Sequence, residues 1–183
     1  YYEFKANTFG YKNIAINFDQ TGSNTGPKDF KIQYSINGTS FTDFGNSYSI
    51  SNDGWSSSAY KSVSNKFFDL TNLNGLNNRS AIYFRIVNTS TNAISGTLGS
   101  SGTNRLDNFT VTGLPCETTS SSQTVVECQS YTWNGTVYNT SGVYSYTTRN
   151  ATGCDSIAII NLTIKKATNS ISYASICSDA IPY

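Results

Sequence analysis

The sequence has no histidine and no methionine, few prolines, and few charges for its size. Each shortage excludes something. Without histidine, no Ser-His-Asp or Cys-His relay can be assembled within this chain. The four cysteines include no CxxC pair, which together with the missing histidine argues against zinc. Charged residues make up 13% of the chain, against about 25% in an ordinary globular domain, and the formal net charge is +1. Such a surface has little pull on phosphate backbones or anionic lipid, so nucleic acid and membrane are not expected partners. No apolar run reaches the roughly 18 residues of a membrane span. Leu, Ala and Glu are scarce, while Tyr, Phe, Thr, Ser, Asn and Gly abound, a mixture of strand formers and turn formers that points to an all-β protein. The chain opens on YYEF, in what reads as mid-strand, and ends on AIPY, which raises the expectation of a piece of a longer chain.

Two pieces are expected, residues 1–115 and 116–166, with residues 167–183 starting a third. In the first, KNIAINFD places Ile14, Ile16 and Phe18 on one face of a strand. FKIQYSINGTSFTDF predicts a hairpin in which Phe30, Ile32, Tyr34 and Ile36 alternate before a type I′ turn at Asn37-Gly38, with Phe41 and Phe44 after it. A polar loop carries Trp55, and KFFDLTNLNGLNN begins as a strand and ends in a short helical turn. SAIYFRIVN has apolar residues on both faces and is expected centrally in a sheet, with Arg85 as a paired or stacked sheet-face residue. In RLDNFTVTG the period slips between Leu106 and Phe109, which predicts a bulge. Seven strands without an amphipathic helix give a two-sheet sandwich.

The second piece is small. SYTW and TVY flank a hairpin turn at Asn134-Gly135, and DSIAIINLTI is its apolar strand, with Ile157 and Ile159 expected inside and Leu162 and Ile164 as further candidates. A core of this size needs support. The cysteines Cys116, Cys128, Cys154 and Cys177 allow three fully paired connectivities. A Cys128–Cys154 bridge is expected to supply that support, with Cys177 opening a further module. The rival pairing, Cys116–Cys177, would staple both ends of one module. Either implies an oxidising, extracytoplasmic setting.

The run from Cys128 to Ile164 resembles a repeated Ig-like module of very large surface proteins exported by gliding and related Bacteroidetes bacteria. Cys128, Ser130, Tyr131, Thr132, Trp133, Asn134 and Gly135 match its opening. Ser141, Gly142 and Tyr144 match its middle; Gly153, Cys154, Asp155 and Ser156 match its turn. Leu162, Thr163 and Ile164 match its end, with Ile160 and Asn161 as departures. The first piece is similar to a jelly-roll-like module found beside such repeats. Its marks are Ser23, Gly26 and Pro27, then Tyr34-Ser35 before Asn37-Gly38, then Phe84-Arg85-Ile86, and Arg105-Leu106-Asp107-Asn108 leading to Val111-Thr112-Gly113. The resemblance implies a jelly-roll-like β-sandwich followed by a small Ig-like β-sandwich, export by the type IX secretion machinery, an extracellular location at the bacterial cell surface, and a non-catalytic role in a repetitive adhesin, as in gliding motility.

Four further positions are candidates. Asp107, at the start of the last sandwich strand, matches the place where similar modules hold a structural Ca²⁺, with Asn104 and Asn108 as added oxygen donors. Trp55 in its polar loop is the candidate to stack on a glycan ring. Trp133, before its turn, reads as a core residue. Ser156, within Asp-Ser-Ile, resembles an O-glycosylation signal of the same bacteria. The function expected is a stalk or display segment in contact with neighbouring modules of its own chain. The alternatives are a glycan-binding, lectin-like sandwich and the appendage of a secreted enzyme.

Overall fold

The computed structural model describes residues 1–54 and 61–173. The protein is all-β, with only two single-turn 3₁₀ segments, Ser62–Ser64 and Asn74–Leu76, among the described residues. It divides into two compact units. The first comprises Tyr1–Thr119 together with Thr148–Ser156, and the second Ser120–Thr147 and Ile157–Tyr183. The expected boundary near residue 116 therefore falls a few residues later, and a nine-residue piece of the expected second module belongs to the first unit.

Seven strands build the first unit: β1 (Tyr2–Ala6), β2 (Tyr11–Gly22), β3 (Asp29–Ser35), β4 (Thr42–Ser49), β5 (Asn65–Asp69), β6 (Ile82–Asn88) and β7 (Asn104–Pro115). They form a four-stranded sheet, β1-β6-β3-β4, and a three-stranded sheet, β5-β2-β7. All their pairings are antiparallel. The two-residue period sends Ile14, Ile16 and Phe18 of β2, Phe30 and Ile32 of β3, and Ile82, Phe84 and Ile86 of β6 into one buried cluster. Phe109 of β7 stacks on Phe4 of β1 with ring centroids 3.8 Å apart, and also meets Phe18 and Phe84. Rings from both sheets thus interdigitate, and truncating one to alanine would cost about 3–5 kcal/mol.

The bulge in β7 is where the sequence slips. Asn17 pairs with Thr110 and Asp19 with Asp107, so β7 spends one extra residue. Asn108 takes that place at φ +54°, a left-handed conformation that asparagine tolerates better than most residues. Leu106, Phe109 and Val111 consequently all reach the core. The β3–β4 connection differs from expectation. Asn37 does not have positive φ, so no type I′ turn forms. Instead Ser35 Oγ accepts from the backbone N–H groups of Asn37 and Gly38, and Asn37 Oδ1 accepts from those of Thr39 and Ser40. These side-chain bonds support a longer loop, and Ile36, the last of the alternating set, lies exposed in it.

On the outer face of the larger sheet Arg85 behaves as its position suggests. Its Nε donates to Glu3 Oε2 at 2.7 Å, and the guanidinium lies 3.6 Å from the Phe41 ring centroid and 4.4 Å from that of Tyr1.

The second unit contains the greater part of β8 (Thr119–Cys128), the hairpin β9 (Tyr131–Trp133) and β10 (Thr136–Tyr138), and most of β11 (Gly142–Arg149) and β12 (Asp155–Lys165). Sheet order is β11-β12-β8. Asn134 and Gly135 both have positive φ, which forms the expected tight hairpin turn. The buried residues of β12 are Ile160, Leu162 and Ile164, against which Val125, Tyr131, Trp133, Tyr138 and Tyr144 pack. Ile157 and Ile159, expected inside, are on the alternate face and only half-buried. Trp133 joins the core as expected.

At one edge of the sandwich core a polar network crosses between sheets. Gln20, 1% exposed, accepts a 2.6 Å hydrogen bond from the Tyr48 hydroxyl, and Tyr2 donates to Asn104 Oδ1 at 2.9 Å. Burial pushes the Tyr48 hydroxyl far above the ordinary tyrosine range, because a phenolate there would be poorly solvated. A raised acid stabilises the fold fully below the unfolded value near 10 and ceases to do so as pH climbs toward the folded value. Thermal melts should therefore show stability declining above about pH 10. Tyr48→Phe should lessen that decline, while lowering stability at neutral pH by about 1–3 kcal/mol because the Gln20 carbonyl loses its donor.

Candidate functional site

The outer face of β5-β2-β7 gathers the most distinctive polar chemistry. Outward residues of β2 are Ala15, Asn17 and Asp19, since their neighbours Ile14, Ile16 and Phe18 are core. Across β5, Asn17 faces Phe67 and Asp19 faces Asn65. Across β7, Asn17 faces Thr110 and Asp19 faces Asp107. Two carboxylates opposite each other repel, and amides are placed to offset this. Asp19 Oδ2 accepts from Asn108 Nδ2 at 2.8 Å, and Asp19 Oδ1 from Asn65 Nδ2 at 3.3 Å. Asn65 Nδ2 also donates to Asn17 Oδ1 at 2.8 Å. Beside these planar groups the Phe67 ring stands 62% exposed. An exposed ring flanked by amides and carboxylates can stack on the apolar face of a sugar while the polar groups reach its hydroxyls.

Asp107 serves the bulge directly, its Oδ1 accepting from the backbone N–H of Asn108 at 2.8 Å. Asn104 Oδ1 takes hydrogen bonds from the Tyr2 hydroxyl and, at 3.4 Å, from Gln20 Nε2. Calcium requires six to eight oxygens. Asp107 and Asn108 sit together at the bulge, and among the described residues there is no group of three or more His, Cys, Asp or Glu that could hold a metal. Trp55 and Cys177 lie outside the described residues.

The expected Cys128–Cys154 bridge is overturned. Cys154 pairs with Cys116, with Cα atoms 5.6 Å apart, and Cys128 is exposed and free. The physical reason lies in an asparagine cluster around the short helical turn Asn74–Leu76. Asn77 and Asn78 are buried polar residues. Asn77 Nδ2 donates to the Thr152 carbonyl at 2.8 Å, and its Oδ1 accepts from the Asn13 N–H at 3.1 Å. Asn78 Nδ2 donates to Asp155 Oδ1 at 2.8 Å, and its Oδ1 accepts from the Gly10 N–H at 2.9 Å. Arg149 donates to the carbonyls of Asn77 and Asn78 at 3.0 and 2.8 Å. Gly153, at φ +81°, brings its backbone so close that a Cβ there would sit 2.8 Å from the Asn74 carbonyl. Cys116, whose N–H donates to the Gly10 carbonyl at 2.8 Å, is anchored on the same unit. The turn is therefore delivered to Cys116, not to Cys128. Asp155 is a structural acceptor here, and Ser156 is half-buried beside it as the second residue of β12. The only advance signal was the asparagine density of NLNGLNN.

Comparison of the chain with family models, with curated proteins and with solved structures finds no match in any of the three.

Two substitutions separate the two clusters. Asn77→Ala should cost about 2–4 kcal/mol in chemical denaturation, since it strands the Asn13 N–H and the Thr152 carbonyl. Phe67→Ala should leave stability within about 0.5 kcal/mol, as expected of an exposed ring whose value lies in what it touches outside the protein.

Proposed function

We propose that this chain is a non-catalytic display segment of an exported bacterial cell-surface adhesin, a jelly-roll-like sandwich followed by an Ig-like module. The observation that carries this reading is the Cys116–Cys154 disulfide in a hydroxyl-rich, weakly charged all-β protein. Such bonds persist in oxidising surroundings outside the cytoplasm. In the chain-entropy picture a loop of this separation stabilises by about 4 kcal/mol. The module resemblance adds export by the type IX route and a place in adhesion or gliding. Ser and Thr on the exposed strands hydrogen-bond to water and present no strong charge to neighbouring copies.

A second reading, glycan contact, is favoured by the Phe67 face with Asn17, Asn65 and Asp107. The two are compatible, since a display segment can also bind. Ca²⁺ at Asp107 and a glycan on Ser156 are proposals of lower rank, drawn from the resemblance alone.

The primary reading predicts that antibodies against this segment label intact cells of the source organism. External protease should remove the epitope, and deleting the segment should reduce attachment to surfaces. Labelling that appears only after permeabilisation would sink it. For the second reading, a glycan array probed with the wild-type chain should show binding that Phe67→Ala weakens tenfold or more. Equal signals from both proteins would remove that face from consideration.

A further inference from the structure

We infer that the Cys116–Cys154 disulfide is a tension bypass: a pull along the chain crosses from residue 116 to residue 154 through the sulfur–sulfur bond, leaving the intervening residues unloaded. The argument rests on covalent connectivity. A pull directed from the N-terminal side toward the C-terminal side follows the shortest covalent path once weaker contacts give way. That path runs through β1 to β7, crosses at Cys116 to Cys154, and continues along β12. Strands β8, β9, β10 and β11 all lie between the two cysteines in sequence. They hang from the path as a closed loop.

Three observations make the crossing durable. Cys154 is fully buried and Cys116 half-buried, which restricts the approach of a reductant to the bond. The turn that carries it is held by the Arg149 and Asn77 hydrogen bonds described above. Cys116 follows immediately on β7, the strand paired with β2 along most of its length. A strand in the path can be peeled by tension, whereas a strand in the loop cannot be drawn out straight. The exposed side chains Val137, Val143 and Tyr146 belong to the looped strands. Whatever those strands present is carried along the path without lying in it. The importance of this arrangement in the cell rests on the adhesin reading, because bridging two surfaces is what would place the chain under tension.

Single-molecule stretching of the wild-type chain between marker domains tests the bypass apart from that reading. The cysteines are 38 residues apart. At about 3.3–3.6 Å per extended residue, the fully unfolded oxidised chain should be about 120–130 Å shorter than the same chain treated with dithiothreitol. That reagent reduces the disulfide to two thiols and is itself oxidised to its cyclic disulfide. Cys128→Ser should leave the difference unchanged, and Cys116→Ser should abolish it even if the variant folds poorly, because the measurement is made on the unfolded chain. A difference of about 80–90 Å would assign the bond to Cys128 and Cys154 and overturn the proposal. No difference between oxidised and reduced chains would overturn it as well. A bond between Cys128 and Cys154 would sink the bypass while leaving the oxidised-exterior argument standing, and labelling of intact cells tests the adhesin reading by itself, so the two can fail separately.

Discussion

The nine residues from Thr148 to Ser156 belong to the sandwich unit although the chain on both sides of them belongs to the other. What holds them is a set of hydrogen bonds from buried asparagines and one arginine, closed by a disulfide. A buried amide is costly unless each of its groups is paired. Asn77 and Asn78 meet that condition only because the incoming turn supplies Thr152 and Asp155. The turn in turn depends on Gly153, where a side chain would collide with the Asn74 carbonyl. The cysteine pairing follows from this docking, and so does the order in which the chain visits its two units.

Elsewhere the structure relies on ordinary burial. Phe18, Phe84 and Phe109 tie the two sheets together from opposite sides, and the Asn108 bulge allows Leu106 and Phe109 to point inward together. That same bulge turns Asn108 outward toward Asp19. The core and the polar outer face are therefore set by one backbone irregularity.

Patterns of period two were legible in the sequence wherever both neighbours of a core residue were polar or where a strand was strongly apolar. The cores of β2 and β6 and the β7 bulge are readable from that alternation, and the Asn134-Gly135 turn from its dipeptide. Where alternation is degenerate it misleads. In DSIAIINLTI the isoleucines fall on both faces, and packing by Trp133, Tyr138 and Tyr144 chose the face that carries Ile160. At Asn37-Gly38 the dipeptide signalled a tight turn, but the Ser35 and Asn37 side chains stabilised a longer one. Cysteine pairing was the least legible feature, because it depends on where distant segments dock. Spacing alone could not distinguish Cys116 from Cys128 as the partner of Cys154. The Phe67 face was hidden for a similar reason. It exists only through the registers that set Asn17 against Phe67 and Asp19 against Asp107.

The scarcity of charge has one more outcome. The ion pairs Lys31–Asp43 and Arg85–Glu3 lie on the sheet surface, where dissolved ions screen them and where such pairs contribute little. The core, the amide cluster and the disulfide are indifferent to ionic strength at ordinary concentrations. A fold assembled on those terms depends little on the screening of its surface charges as salt varies over ordinary concentrations.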